Sequence, residues 1–304
     1  MSDFDNPEIY RSILLSLPTG VYLVDRNRKI IFWNNGAEEI TGYLRQDVVG
    51  HFLRDHLLAT SSEIKKEIDV DPADPLSAVF RDGKSTNVNV AILHKEGYRL
   101  PILLQTIPIR NDRGAIIGAA ECFERSITAM ERSRRQNAVA ELGLLDEITG
   151  VPNRTYMEGR LIDNLKSFTD RKVPFGIMIL EADQLESLHS TRGPAIVPAI
   201  LRVVAQTVAN SLRPSDFVGC WYQNQFLAVL MDCKEHEVIR VADRIRRMVA
   251  QSEIEWWGDS IPISAAFGGA GCKEGDTVEE LIERAEQSLT QSIASGGNRV
   301  TVLD

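Results

Sequence analysis

Cysteine, positive charge and long apolar segments are all scarce in this sequence. The four cysteines, Cys122, Cys220, Cys233 and Cys272, lie far apart, and none belongs to a CxxC pair. This spacing argues against a zinc site or a disulfide framework and favours reduced thiols. No apolar segment approaches the roughly 20 residues of a membrane-spanning helix, and the acidic N-terminal segment lacks the apolar core of a signal peptide. We therefore expect a cytoplasmic protein with no membrane partner.

The deficit of positive charge limits the classes of partner. The chain has 34 lysines and arginines against 43 aspartates and glutamates, which gives a formal net charge of -9. Because nucleic-acid binding depends on a basic face, we do not expect a nucleic-acid partner. A hydrophobic content of 43% and a charged content of 25% in 304 residues are typical of a globular protein with room for two domains.

Residues 1–125 have the pattern of an antiparallel sheet flanked by short helices. A helical pattern at Glu8–Leu17 precedes two short apolar strands, Val21–Val24 and Lys29–Trp33. The turn sequences RDGK, KEG and NDRG then delimit three longer strands, Ser85–His94, Tyr98–Ile109 and Ala115–Phe123. We predict an α+β domain with a five-stranded antiparallel sheet and helices on one face.

This order of elements resembles a PAS sensor domain. The resemblance rests on the segments GVYLVDRNRKIIFWNNGAEEITGY and DVVG, and on the three-strand segment that ends in ECFERSIT. It implies a domain that holds haem, a flavin, a small metabolite or no ligand, and the PAS ligand remains unknown. His51 and His56 are the candidate axial ligands for haem, although a surface or hydrogen-bonded histidine is the commoner outcome.

Residues 126–147 are predicted to form a helix between two domains. The segment SITAMERSRRQNAVAELGLLD contains no proline and is rich in helix formers. Ala138, Leu142 and Leu145 recur every three to four residues, which is the pattern of a weak coiled coil. We predict a signalling helix through which the chain forms a parallel homodimer. A solvated linker helix is the alternative.

Residues 148–304 alternate helices and strands around one hairpin. In the hairpin, the apolar segments Phe217–Trp221 and Phe226–Met231 flank a polar link, Tyr222–Gln225. Asn153 is a candidate helix cap. The other predicted helices and strands are Thr155–Phe168, Phe175–Leu180, Pro198–Leu212, Glu237–Ala250, Ile261–Phe267, Val278–Ile293 and Arg299–Leu303. This alternation predicts an α/β domain with a central mixed sheet.

The second half resembles the GGDEF family of diguanylate cyclases over nearly its whole length. The segments DEITGVPNR, SAAFGGA and AEQSLTQSIASGGNRV carry the resemblance, together with the spacing to Glu181-Ala182-Asp183. The resemblance implies two GTP-loaded domains that meet head to head. Magnesium ions held by carboxylates bridge the phosphates, and the 3′-hydroxyl of one GTP attacks the α-phosphate of the other.

The family signature Gly-Gly-Asp/Glu-Glu-Phe falls on Tyr222, Gln223, Asn224, Gln225 and Phe226, and only Phe226 is kept. The neutral amides at positions 224 and 225 give magnesium no charge compensation. The side chains at positions 222 and 223 occupy space that two glycines would leave to a phosphate. By the same resemblance, the first metal-binding aspartate becomes Glu181, and the guanine and phosphate contacts fall on His189, Pro198, Ile293 and Gly297.

One binding feature of the family is retained. Arg213-Pro214-Ser215-Asp216 matches the RxxD inhibitory site, with five residues between it and Tyr222. The resemblance implies that Arg213 donates to cyclic di-GMP and that Asp216 accepts from its guanine. The alternative is a surface Arg–Asp pair at the end of a helix.

These patterns predict a signalling protein with a PAS sensor and a catalytically inactive GGDEF domain. It would act by ligand sensing and by contacts with an unidentified protein partner, with cyclic di-GMP as the candidate ligand at Arg213 and Asp216. No catalytic residue is expected, and Glu181 is the vestige of the metal site. One alternative is an active diguanylate cyclase with an atypical site that uses Glu181 and Asp183, and only this alternative requires magnesium. Another is a site that binds a nucleotide without turnover.

Overall fold

The computed structural model describes residues 6–52, 75–125 and 135–303. The chain divides into two compact units, Met1–Glu96 with Leu100–Ser126, and Gly97–Arg99 with Ile127–Asp304. Each unit has its own five-stranded sheet. Among the described residues, no helix combines the length and the apolar character needed to cross a membrane.

The first unit contains the predicted five-stranded antiparallel sheet. Its strand order is β2-β1-β5-β4-β3, so the last strand returns to lie beside the first. The strands are β1 (Gly20–Asp25), β2 (Ile30–Trp33), β3 (Thr86–Leu93), β4 (Arg99–Arg110) and β5 (Ile116–Arg125). The helices are α1 (Pro7–Ser16), α2 (Asn35–Thr41), α3 (Arg45–Val48) and α4 (Pro75–Asp82). The sequence pattern missed α4, because a two-turn helix carries little periodicity.

A buried asparagine connects three elements of this unit. Asn34 is fully buried at the N-cap of α2, and its Oδ1 accepts from the backbone N–H groups of Val21 and Ala37, both at 2.8 Å. Its Nδ2 donates to the carbonyls of Leu14, Leu17 and Thr19 at 3.0, 3.3 and 2.8 Å. The side chain therefore joins the end of α1, the start of β1 and the start of α2.

A buried polar cluster crosses the same sheet. Glu121 on β5 lies opposite Tyr22 on β1 and Thr106 on β4, and it is 2% exposed. The Thr106 hydroxyl donates to one carboxyl oxygen at 2.7 Å, and the other carboxyl oxygen forms a hydrogen bond with the Tyr22 hydroxyl, which can donate or accept. Burial raises the pKa of Glu121 to about 8. The carboxyl group therefore retains its proton at neutral pH.

Of the two histidines considered as haem ligands, the structure describes only His51. His51 is exposed in the segment after α3, where its backbone carbonyl accepts from the N–H of Ile30 at 2.9 Å. This places the backbone of His51 against the edge strand β2. His56 lies outside the described residues.

The connector helix ends earlier than its composition predicted. Its described part, α5, covers residues 135–141, so the prediction of helix as far as 147 is wrong. Gly143 adopts a φ of 67°, and the backbone N–H of Leu144 donates to the carbonyl of Val139 at 3.2 Å. This is the C-terminal arrangement that glycine favours, and it stops the helix despite the helix formers that follow. Leu145 then forms a bridge with Pro152.

The second unit contains the predicted mixed sheet. Its strand order is β12-β11-β6-β8-β7, with β11 and β12 parallel and the other neighbours antiparallel. The strands are β6 (Phe175–Ala182), β7 (Phe217–Tyr222), β8 (Gln225–Met231), β9 (Glu253–Trp256), β10 (Asp259–Pro262), β11 (Ala265–Gly271) and β12 (Val300–Val302). The helices are α6 (Arg154–Arg171), α7 (Leu185–Arg192), α8 (Ile196–Ser211), α9 (Glu235–Ala250) and α10 (Val278–Ala294).

Three details of the second unit differ from the sequence prediction. The single strand predicted at Ile261–Phe267 is two strands, because β10 pairs with β9 in a separate ribbon while β11 joins the main sheet. Helix α8 begins two residues before Pro198, which is tolerated because the first turn needs no amide donor there. Helix α7 was not predicted. The cap at Asn153 is confirmed, since its side chain accepts from the N–H of Tyr156 at 3.1 Å.

Both faces of the central sheet are buried. Along β6, Met178 and Leu180 pack with residues of α8 and α9, while Ile177 and Ile179 pack with residues of α6 and α10. Helix α10 lies directly on the backbone of β11, since a Cβ at Gly268 would be 2.1 Å from the backbone nitrogen of Leu289. Burial on both faces explains the continuous apolar sequence of β6.

Candidate functional site

The tip of the β7–β8 hairpin carries the residues aligned with the family signature. Tyr222 pairs with Gln225, so the turn has two residues, Gln223 and Asn224, rather than the four predicted. The register shifts between Cys220 and Tyr222, which makes the end of β7 irregular. Tyr222 is 49% exposed, whereas Phe226 is buried in the core. The tip therefore presents one aromatic ring and amide side chains.

An amide bonds to the carboxylate that remains at this end of the sheet. Gln225 on β8 lies opposite Glu181 on β6, and its Nε2 donates to Glu181 Oε2 at 2.9 Å. By the family resemblance, the metal-holding signature acid falls on Asn224 and the acid beside it falls on Gln225, and both positions are amides in this chain. Here the amide donor satisfies the Glu181 carboxylate directly, so that no cation is needed to compensate two adjacent charges.

The second nearby carboxylate has a structural role. Oδ2 of Asp183 accepts from the hydroxyl of Ser264 at 2.6 Å and from the backbone N–H of Asn298 at 2.8 Å. A Cβ at Gly297 would be 2.4 Å from Asp183 Oδ1, so the turn before β12 lies against this carboxyl group. Asp183 therefore fixes the approach of the chain to its last strand.

These groups do not fit the pair of magnesium ions that the family resemblance implies. Glu181 is bonded to Gln225, and Asp183 is bonded to Ser264 and Asn298. In the part of the chain that the structure describes, no three His, Cys, Asp or Glu side chains come close enough to hold a metal ion. Magnesium requires anionic oxygen ligands with room for octahedral coordination.

The exposed ring of Tyr222 is held by an arginine from another element. The Arg154 guanidinium lies 4.4 Å from the centroid of Tyr222 and 5.0 Å from that of Trp221. Arg154 Nε also donates to Glu158 at 2.7 Å, and this hydrogen bond raises the pKa of the guanidinium. No sequence signal linked Arg154 to the hairpin tip. At position 222, where the family signature has a glycine, this chain therefore has a tyrosine ring stacked against the Arg154 guanidinium.

The other aligned substrate positions lie on three different elements. His189 is in α7, Pro198 is in α8, and Ile293 is in α10 with 45% of its surface exposed. Pro198 and Ile293 have no side-chain hydrogen-bond donor, and His189 falls at a position that the resemblance assigns to guanine and not to a phosphate. Their residue types therefore add no phosphate contact to the hairpin tip.

The RxxD segment forms a turn whose aspartate points inward. The Asp216 N–H donates to the carbonyl of Arg213 at 3.0 Å. The Asp216 carboxylate, on a residue that is 8% exposed, accepts from the N–H groups of Arg213 and Met231, both at 3.0 Å. Burial raises the pKa of Asp216, and these backbone hydrogen bonds oppose the rise. Asp216 thus stabilises the turn, and Arg213 remains exposed.

A second arginine lies near this turn. Arg244 on α9 has a pKa lowered by partial burial and by the positive charge of Arg213, while Asp216 opposes the shift. Two guanidinium groups are therefore close enough to affect one another. Residues 213 and 244 are separated by two strands and about two and a half turns of α9, so no local sequence signal marked Arg244. The pair provides positive charge suited to an anion.

Comparison with family models finds a match for each half of the chain. The family model described as "Diguanylate cyclase, GGDEF domain" matches residues 144–299, which is just over half of the 304-residue chain. This chain belongs to the GGDEF family. A PAS-domain model matches residues 18–129. The chain thus combines a PAS domain with a domain of the diguanylate cyclase family.

Curated proteins similar to this chain include a response regulator and a diguanylate cyclase. The response regulator PleD of Caulobacter vibrioides is 28% identical over 227 residues, which cover 66% of this chain and 50% of PleD. The diguanylate cyclase DosC of Escherichia coli is 29% identical over 214 residues, which cover 70% of this chain and 43% of DosC. The chain therefore spans about half the length of the relatives it matches.

Two solved structures share the fold of the second half. The coiled coil and GGDEF domain of DgcB from Caulobacter crescentus, in complex with c-di-GMP, has a TM-score of 0.51 at 21% identity and covers 59% of this chain and 95% of that one. Diguanylate cyclase SiaD of Pseudomonas aeruginosa, in complex with its activator SiaC, has a TM-score of 0.51 at 21% identity. The match covers 58% of this chain and 70% of SiaD. At this identity the likeness establishes the fold.

Proposed function

We propose that this chain is a regulatory PAS–GGDEF protein whose GGDEF domain does not convert GTP to cyclic di-GMP. The hydrogen bond from Gln225 to Glu181 carries the proposal, because it satisfies the metal-site carboxylate without a cation. The engagement of Asp183 with Ser264 and Asn298 supports it. The output of such a domain is contact with a ligand or a protein partner, under the control of the PAS domain.

Restoring the two signature acids should not restore turnover. The double variant Asn224→Asp with Gln225→Glu places an acid opposite Glu181, but Tyr222 and Gln223 still occupy the glycine positions and Ile293 supplies no phosphate donor. We expect no cyclic di-GMP from GTP and Mg²⁺ with either the wild-type chain or this variant. Chromatographic product analysis, with an active diguanylate cyclase as the positive control, measures this. Product from the wild-type chain would establish the atypical cyclase instead.

The paired arginines favour a second function, binding of cyclic di-GMP at the RxxD turn. Arg213 is exposed, Arg244 lies within reach of its charge, and Asp216 holds the turn that presents Arg213. Two guanidinium groups match the two phosphates of a cyclic dinucleotide in charge and in hydrogen-bonding capacity. In this proposal Arg213 contacts the ligand, and Asp216 acts mainly by supporting the turn.

Arg213→Ala should weaken cyclic di-GMP binding by at least about thirtyfold, because it removes hydrogen bonds from a charged donor, worth roughly 2 kcal/mol. Isothermal titration calorimetry on the full chain measures the loss. Arg171→Ala is the matched control, since Arg171 is an exposed arginine in the last turn of α6. Equal affinities in the wild type and Arg213→Ala would place any binding elsewhere, and no binding to the wild type would reject the receptor function.

We also propose that the chain is a homodimer through the 126–147 segment. In the described part of this segment, Ala138 and Leu142 are exposed, with Leu142 at 70%. Ala138 lies in α5 and Leu142 directly follows its end, and because both side chains are exposed they are available to a second copy. Light scattering at micromolar concentration should give twice the mass of the chain. A monomeric mass for the wild-type chain, with the same mass for Leu142→Glu, would contradict the dimer.

A further inference from the structure

One arginine joins the connector helix to the RxxD turn. Arg135 in α5 donates through Nη1 to the carbonyl of Asp216 at 3.0 Å and through Nη2 to the carbonyl of Pro214. Its guanidinium also lies 4.5 Å from the ring centroid of Phe217. A single side chain of the helix therefore contacts the middle of the turn, its last residue and the first residue of β7.

Apart from Arg135, the packing of α5 against the domain is limited. Val139 is the buried apolar residue of α5, at 4% exposed. A cavity of about 30 Å³ lies beside it, lined in part by Gln136, Val151 and Leu212. Such a volume is enough to hold a water molecule. Within residues 135–141, Arg135 supplies the hydrogen bonds that the structure describes between the helix and the turn.

The turn is built so that these bonds affect Arg213. Internal hydrogen bonds of the turn use the Arg213 carbonyl and the Asp216 carboxylate. The carbonyls of Pro214 and Asp216 are held by Arg135 instead. Immobilising these two carbonyls limits the conformations of the backbone that carries Arg213. Binding of a ligand to Arg213 then costs less conformational entropy in the turn.

We propose that Arg135 couples the connector helix to the RxxD turn, so that docking of α5 and binding of a cyclic dinucleotide at Arg213 favour each other. The ligand half of this inference rests on the receptor function proposed above. Coupling between two such states is reciprocal, since a ligand that prefers the docked state must also stabilise it. Arg135 is a positioning residue here and does not itself contact the ligand.

Hydrogen–deuterium exchange on the full chain tests the link without any ligand. In Arg135→Ala, the Asp216 amide, which is bonded to the Arg213 carbonyl, should exchange about tenfold faster, as expected for loss of a hydrogen bond from a charged donor. Gln136→Ala, on the same helix and beside the same cavity, should leave this amide unchanged. Unchanged exchange in strand β6 verifies that Arg135→Ala is folded.

Cyclic di-GMP then tests coupling in the opposite direction. It should slow exchange of residues 135–141 in the wild type and not in Arg135→Ala, whose affinity should fall about tenfold. Arg135→Lys separates geometry from charge, because it keeps the charge and loses the forked donor. We expect Arg135→Lys to behave like Arg135→Ala. Wild-type affinity in Arg135→Lys would mean that Arg135 acts only by its charge and would overturn the proposal.

The outcomes distinguish the two proposals. Unchanged exchange of the Asp216 amide in Arg135→Ala overturns the coupling, whatever the ligand does. Binding of cyclic di-GMP to the wild type without any effect on residues 135–141 also overturns it. If the wild type does not bind cyclic di-GMP, the receptor function fails, and the ligand half of the coupling fails with it. Faster Asp216 exchange would then still support the mechanical link between α5 and the turn.

Discussion

Asn34→Ala is expected to lower the free energy of unfolding of the PAS domain by about 4 kcal/mol, because it leaves several buried backbone groups without partners. The side chain accepts from two backbone N–H groups and donates to three carbonyls. Each buried group that loses its partner contributes a desolvation cost of roughly 1–3 kcal/mol, reduced where water can enter. Urea unfolding of the full chain, followed by exchange of the β1 and β5 amides, measures the loss.

A neighbouring asparagine provides the control for this prediction. Asn35 is exposed, and its side chain accepts from Arg45 at 2.9 Å on the surface. Asn35→Ala should change the free energy of unfolding by less than about 0.5 kcal/mol. Asn34→Asp keeps the acceptor but turns the three donor contacts into repulsions with carbonyls, so it should be nearly as damaging as Asn34→Ala. Equal stability of the two alanine variants would contradict this role of Asn34.

Glu121→Gln should remove a strong pH dependence from the stability of the PAS domain. Burial raises the pKa of Glu121 from an ordinary 4.5 to about 8. Between these values the folded chain binds the proton and the unfolded chain does not, so stability falls as the pH rises through this window and levels off above it. The slope is at most about 1.4 kcal/mol per pH unit. Glutamine resembles the protonated carboxyl group and does not titrate.

The difference between variant and wild type isolates this effect. The stabilities should be similar near pH 5, and Glu121→Gln should be about 3 kcal/mol more stable near pH 8. Unfolding by urea at several pH values measures both curves. Glu124→Gln is the control, because Glu124 lies on the same strand but is exposed. Parallel curves for Glu121→Gln and the wild type would show that Glu121 is ionised in the folded domain at neutral pH.

The regular elements were largely predictable because their periodicity is local. The five strands of the first sheet and helices such as α6, α9 and α10 were found close to their observed positions. Predictions were wrong where a tertiary partner or one backbone conformation decided the outcome. The connector helix stops at Gly143, whose positive φ permits the cap. The strand predicted at Ile261–Phe267 is split because its two parts join different sheets.

The same contrast between local sequence pattern and tertiary contact applies to the candidate binding residues. The sequence identified Arg213 and Asp216 from their spacing to the hairpin, but it assigned Asp216 to ligand contact. The structure places the Asp216 carboxylate against the N–H groups of Arg213 and Met231. Arg135 was missed because it bonds to the turn from the connector helix, and Arg244 was missed because its charge acts on Arg213 from a separate helix. Contacts between distant segments depend on the packing of whole elements, and residue spacing does not encode them locally.

The sequence by itself determined the family, the order of the two domains and the chemistry available at the hairpin tip. Amides at positions 224 and 225 cannot supply the negative charge that magnesium requires, whatever the fold around them. Only the tertiary structure showed that the Gln225 amide bonds to the Glu181 carboxylate, because these two residues meet through the register of β6 and β8. It also decided that Arg135 holds the RxxD turn, since side-chain reach between elements is set by their packing and not by their order in the chain.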